Sequence, residues 1–211
     1  MSEQTFDSGG VRGVLHQPDN PTGEAIALTH GASANCNTPL LTKLARAFAD
    51  AGLVVLRYDL PFRQQRLKGP PSPAKAAQDR AGVVQAVDVL RRMASGRVFA
   101  AGHSYGGRQT AMAASERPDM VAALLLLSYP LHPPGKPEKP RTDYFPALRT
   151  PALFVHGSSD PFGSLDELTS AVKLIAARTE LLPVERAGHD LARAAGLGQE
   201  ILVKLRTLAG G

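Results

Sequence analysis

Residues 96–109 read GRVFAAGHSYGGRQ, an apolar run that opens directly into Gly102-His103-Ser104-Tyr105-Gly106. Gly-x-Ser-x-Gly is a short pattern: with 20 glycines and 12 serines among 211 residues, roughly one chain in ten of this composition would show it by accident. Its setting carries the weight. A strand-like run leads in and the small-residue stretch RQTAMAASE (108–116) leads out, so Ser104 is expected on a sharp, strained turn that lifts its hydroxyl above a sheet. The glycines two before and two after it remove side chains that would collide where strand and helix cross. The free N–H groups of a helix N-terminus beside the hydroxyl favour developing negative charge.

Working outward, apolar runs recur at 25–29, 53–57, 97–101, 122–127, 152–155 and 179–184, with helical segments between them. That alternation predicts an α/β fold of three layers, a mostly parallel sheet with helices on both faces. ALLLL and ALFV are continuously apolar, as strands buried on both faces should be. Residues 11–16 read as an antiparallel edge strand. Thr38 before Pro39 predicts a helix start, Leu40, Leu44 and Phe48 one buried face, and Gly52 its end. Ser72 and Pro73 repeat the device, with Ala76, Val83, Val87 and Leu90 as the stripe and Gly96 as the close. Leu197, Ile201, Leu205 and Leu208 mark a final amphipathic helix. Two long proline-rich loops, LPFRQQRLKGPPSP (60–73) and SYPLHPPGKPEKPRTDYFPALRTP (128–151), follow strands. Both are expected at the carboxyl edge of the sheet, where open α/β folds bind ligands, as pocket walls or a minimal cap.

A serine hydroxyl needs a base to act as a nucleophile at neutral pH. Of six histidines, His189 alone follows the last strand in a glycine-containing loop. His30 and His156 end strands in His-Gly turns that a side chain can pin, His103 must point away from the serine's solvent side, and His132 in the second long loop is a candidate substrate contact. An imidazole base wants a carboxylate to hold its tautomer, and Asp160, in HGSSDPFGS, is placed for that. Asp-Pro-x-Gly is also good turn chemistry, and Asp143 is the reserve acid. The order Ser104, Asp160, His189 is that of a strand-by-strand triad. Backbone N–H groups of Tyr105 and of Ala32, in the HGAS loop after the first parallel strand, are the expected oxyanion donors. Arg63 and Lys136, with Arg57 at the end of the strand run 53–57 and Arg66, Lys68, Lys139 and Arg141 in the two loops, are candidates for binding an anionic acyl group.

The chain as a whole narrows the function further. Its length suits a single domain over 1–211, and 43% hydrophobic with 20% charged residues is a globular composition. The net charge of +5 invites a nucleic-acid reading, but the basic residues are dispersed, lack aromatic interleaving and show no recognition-helix or zinc spacing. No apolar run is long enough to span a bilayer and no leader is visible, so a cytoplasmic protein with no membrane partner is expected. The lone Cys36 excludes an internal disulfide and fits a reducing compartment.

The stretches HGAS, RYDLPF with the basic and PPSP segment after it, GHSYGGR, YPLHPPGKPEKPRT, LRTPALFVHGSSDPFG and AGHD together span about residues 24 to 190. On them the sequence resembles the α/β-hydrolases, and more narrowly their small, nearly capless dienelactone-hydrolase-like group, which includes the testis-expressed hydrolase-like proteins. The resemblance implies the triad Ser104, Asp160 and His189 and a hydrolase whose substrate is generally unknown. Tyr105 stands where such proteins often carry methionine. The expectation is a serine hydrolase acting on an ester, lactone or thioester without metal or organic cofactor, as a monomer or homodimer. The alternative is an inactive hydrolase-fold interaction domain.

Overall fold

A computed structural model of the chain describes residues 1–192 and 194–210. Eight strands form one sheet: β1 (Ser2–Ser8), β2 (Val11–Gln17), β3 (Ala25–Thr29), β4 (Val54–Tyr58), β5 (Val98–His103), β6 (Ala123–Leu127), β7 (Ala152–Gly157) and β8 (Thr179–Val184), in the order β1-β2-β4-β3-β5-β6-β7-β8. Pairing is parallel from β4 through β8, and antiparallel where β2 meets β1 and β4. The strand at 11–17 is antiparallel as expected but is not the edge. β1 lies outside it, and its sequence SEQTFDS is almost wholly exposed, so no buried face announces it in the sequence.

Helices α1 (Pro39–Asp50), α2 (Pro61–Gln65), α3 (Ala76–Arg91), α4 (Tyr105–Glu116), α5 (Leu165–Val172) and α6 (Gly198–Leu208) complete the layers. Alternate residues of each central strand face opposite cores. Ala27, Ala100, Leu124 and Leu126 pack with Val83, Val87 and Ala111 of α3 and α4. Leu28, Ala101, Leu125 and Leu127 pack with Leu44 and Phe48 of α1 and Leu202 and Leu205 of α6. The start of α1 is as the sequence predicts: Thr38 Oγ1 accepts from Leu41 N at 3.4 Å, and Pro39 takes the first helical position. Gly52, at φ +93°, lies where a Cβ would meet Asn20 O at 2.8 Å.

The next helix differs. Ser72 makes no capping bond, Pro73–Lys75 is a single 3-10 turn, and α3 ends at Arg91 well before Gly96. Within the first long loop, Pro61 starts the short α2. An apolar stripe does not mark α5. Its signature is the capping box at its start, in which Glu167 N donates to Ser164 Oγ and Ser164 N donates to Glu167 Oε2.

Candidate active site

The carboxyl ends of β3, β5, β6, β7 and β8 converge on Ser104. At φ 52° and ψ −117°, its backbone lies in a region that side chains other than glycine's enter only under strain. The crossing of β5 and α4 is close enough to require glycine: a Cβ on Gly102 would sit 2.4 Å from Gly107 N, and one on Gly106 2.4 Å from His30 O. Ser104 N is tied to Leu127 O at 2.8 Å, which anchors the turn to β6.

His189, beyond β8, brings Nε2 to 2.7 Å from Ser104 Oγ, and its Nδ1 lies 2.8 Å from Asp160 Oδ2 and 3.0 Å from Oδ1. An Nδ1–H that donates to the carboxylate leaves Nε2 as acceptor for the serine hydroxyl. Asp160 also receives Phe162 N on Oδ1 at 2.9 Å, so the turn role and the histidine-facing role belong to one side chain. Burial pushes the Asp160 carboxyl up, but the His189 and Phe162 hydrogen bonds and the neighbouring imidazoles outweigh it, and its pKa lies below the ordinary value. The Phe162 ring lies over His189 with centroids 4.2 Å apart. Asp143, by contrast, lies on the exposed surface of the second long loop.

Three side chains that the sequence leaves unassigned, or assigns otherwise, hold this arrangement: His103 is half-buried, Asp79 and Arg63 are buried. His103 Nε2 donates to His189 O at 2.7 Å, and burial lowers its pKa to about 4, so it is a neutral clamp on the histidine loop. Asp79, fully buried on α3, accepts from Phe62 N at 3.0 Å and from Tyr105 Oη at 2.8 Å, which fixes the Tyr105 ring beside the serine turn. Arg63 corrects an expectation. It is 4% exposed and lies under the HGAS loop, not in a ligand's path. Its guanidinium donates to the carbonyls of Ala34 (2.8 Å), Ala32 (2.9 Å), Gly69 (3.1 Å) and Arg66 (3.2 Å). Alone on a loop in the sequence, it carries no sign of that burial.

The other two proposed substrate contacts also lie elsewhere. His132 is buried, with Nδ1 on Pro133 O at 2.8 Å, and borders a separate surface groove with Glu167. Lys136 is exposed in the same loop and does not line the cavity. Arg57 is spent inside the sheet, on Cys36 O at 2.6 Å and His16 Nε2 at 2.8 Å. The histidines at strand ends do pin their turns. His30 Nδ1 donates to Gly31 O at 2.8 Å and its Nε2 accepts from Leu60 N at 3.1 Å, while His156 Nε2 donates to Gly163 O at 2.8 Å.

Ser104 opens into a cavity of about 560 Å³. Ala32 and Tyr105 border it, and among the described residues neither N–H donates a backbone hydrogen bond. Gly31 lets the loop pass close: a Cβ there would lie 3.4 Å from Ser104 Cβ. Pro71, Pro73 and Pro130 form part of the cavity wall. Among the described residues no three His, Cys, Asp or Glu side chains come together to hold a metal ion, and no helix is long and apolar enough to cross a membrane.

The family model for an alpha/beta hydrolase domain matches residues 22–209, and the chain belongs to that family. Solved structures share the fold at low identity. Est1E from Butyrivibrio proteoclasticus is 16% identical, with both chains covered completely and a TM-score of 0.77. A dienelactone hydrolase from Anabaena variabilis is 21% identical, with 98% of this chain and 97% of that one covered and a TM-score of 0.72. XC6422 from Xanthomonas campestris, described as an α/β serine hydrolase without a lid, is 17% identical over 96% of this chain and 94% of that one, with a TM-score of 0.74.

Proposed function

We propose that the protein is a serine hydrolase that cleaves a small ester, lactone or thioester by acyl transfer. The observation that carries this reading is the continuous relay from Ser104 Oγ through His189 to the buried Asp160, built on a serine turn whose strain a structural loop does not need. In this reaction Ser104 Oγ attacks the acyl carbon as His189 Nε2 takes the hydroxyl proton. Asp160 holds the imidazole's orientation and stabilises the imidazolium. The Ala32 and Tyr105 N–H groups receive the oxyanion, each worth about 3 to 4 kcal/mol of barrier. The proton then passes from His189 to the departing alkoxide or thiolate, and the acyl-enzyme remains. Water, deprotonated by His189, attacks the acyl-enzyme, and collapse of the second tetrahedral intermediate returns the proton to Ser104 and frees the acid.

The test is labelling by a fluorophosphonate probe together with turnover of a panel of p-nitrophenyl esters and small lactones. Wild type is expected to be labelled and Ser104→Ala not. A correctly folded wild type that takes no label would overturn the reading in favour of an inactive interaction domain.

A further inference from the structure

The wall of the Ser104 cavity carries Arg80, Arg108 and Arg141 and, among the described residues, no carboxylate. Arg80 is paired outside the cavity with Glu116, Nε to Oε1 at 3.0 Å. Among the described residues Arg108 and Arg141 have no such partner. Arg108 stands one helical turn beyond Ser104 on α4, with its N–H on Ser104 O at 3.0 Å, and its Nε is buried without a hydrogen-bond partner. Residues four apart share a helix face, so its guanidinium rises from the side of the helix that carries the serine.

Arg141 comes from the long loop after β6, and that loop is built to hold it. Its N–H donates to Leu131 O at 2.7 Å, its carbonyl accepts from Tyr129 Oη at 2.5 Å, and its Nη1 reaches Pro130 O at 3.3 Å. Tyr129 Oη in turn bonds Tyr144 Oη at 2.6 Å, inside a cluster of Tyr129, Tyr144, Phe145 and Phe154 rings. Burial, then the charge of Arg108, hold the pKa of Arg141 below its ordinary value. Two like charges thus share the wall of one cavity in partly desolvated surroundings with, among the described residues, no carboxylate paired to either, an arrangement that costs free energy until an anion arrives.

A third residue points the same way. Gln109 borders the cavity fully buried, and neither its Oε1 nor its Nε2 has a hydrogen-bond partner. A buried amide with both ends unsatisfied is unfavourable unless a ligand completes it.

From this juxtaposition we infer that Arg108, Arg141 and Gln109 form a carboxylate-binding subsite beside Ser104, and that the substrate is a monoester of a short dicarboxylic acid. The inference rests on the hydrolase reading for the cleavage, but not for the binding. Planar guanidinium forks match a planar carboxylate two bonds at a time. The one-turn spacing of Arg108 from Ser104 limits the ligand to a few carbons between carboxylate and scissile carbonyl, as in succinate, glutarate or adipate half-esters.

The test has a catalytic and a binding arm. Hydrolysis of monoethyl succinate, glutarate and adipate is compared with that of ethyl pentanoate by titrating the acid released. Wild type is expected to favour the best half-ester by about tenfold or more in kcat/KM, and Arg108→Met and Arg141→Met to lower that ratio by about tenfold each. Lys136→Gln, an exposed charge away from the cavity, is expected to leave the ratio alone. Equal loss in Lys136→Gln would mean a general field effect and would overturn the subsite, as would a ratio near one in wild type.

In the binding arm, calorimetry of the Ser104→Ala protein with glutarate and with inorganic phosphate needs no turnover. Glutarate binding that Arg108→Met abolishes, with no ester cleaved by wild type, would uphold the subsite while the hydrolase reading fell. No glutarate binding, or tighter binding of phosphate, would overturn the carboxylate assignment. Because Arg108 Nε has no partner to lose, Arg108→Met is expected to melt no lower than wild type, which separates a folding defect from a binding one.

Discussion

Asp160 divides its carboxylate between His189 Nδ1 and Phe162 N, and the two duties respond differently to substitution. Asn at this position keeps a carbonyl for Phe162 but turns an NH2 toward His189, which drives the imidazole to the wrong tautomer. The expected outcome for Asp160→Asn is a fall of about 10³ to 10⁴ in kcat, with a circular dichroism spectrum like that of wild type. Arg63 acts one step further out. Arg63→Met leaves the carbonyls of Ala32, Ala34, Arg66 and Gly69 without their donor, so the loop that presents Ala32 N loosens. The expected effect is a loss of about tenfold or more in kcat with a smaller change in KM, read by steady-state kinetics, because the oxyanion is held only after attack. Gly106→Ala is expected to give little folded protein, its Cβ falling 2.4 Å from a backbone oxygen, while Gly188→Ala, with nothing within 4 Å, is tolerated in the same expression test. At this scale the proposed serine, acid and histidine are legible because the proposed chemistry needs those residue types in chain order. Arg63 and Arg108 are not. One basic residue in a loop and one in a helix look alike in sequence, and only burial shows that the first braces a backbone while the second is left without a partner.

Between elements, His16 on β2 and Arg57 on β4 meet inside the sheet. His16 Nε2 accepts from Arg57 Nε at 2.8 Å, so the imidazole must be neutral, and burial, then the Arg57 charge, lower its pKa to about 4 against a partial opposing pull from Glu3. The folded pKa lies below the unfolded value near 6.5, so the unfolded chain binds the extra proton first. The stability this group contributes is therefore complete above about pH 6.5 and is lost as pH falls toward 4, by on the order of 1 to 3 kcal/mol. Urea midpoints measured between pH 7.5 and 4.5 are expected to decline, and less steeply in His16→Gln. The same strands show how far elements can be read in advance. The central parallel strands and α1 follow from apolar runs and a Thr-Pro cap, since burial on both faces leaves a plain signature in those strands. β1 escapes notice because its stability comes from pairing with β2 along a solvated edge, and α5 because one capping box and one buried leucine, Leu168, define it.

Across the whole molecule, both cores are lined by opposite faces of the same strands. Neither can be dismantled while the sheet stays intact. Urea unfolding is therefore expected to be a single transition in which far-ultraviolet dichroism and tyrosine fluorescence coincide, and two separated transitions would argue for more than one folding unit. The prolines of the cavity wall bear on affinity as well. Pro71, Pro73 and Pro130 arrive with their φ angles already fixed, so a substrate that enters the cavity orders little backbone at those positions. Differences in affinity among substrates should then measure their contacts with the wall almost directly, with little conformational entropy subtracted from each.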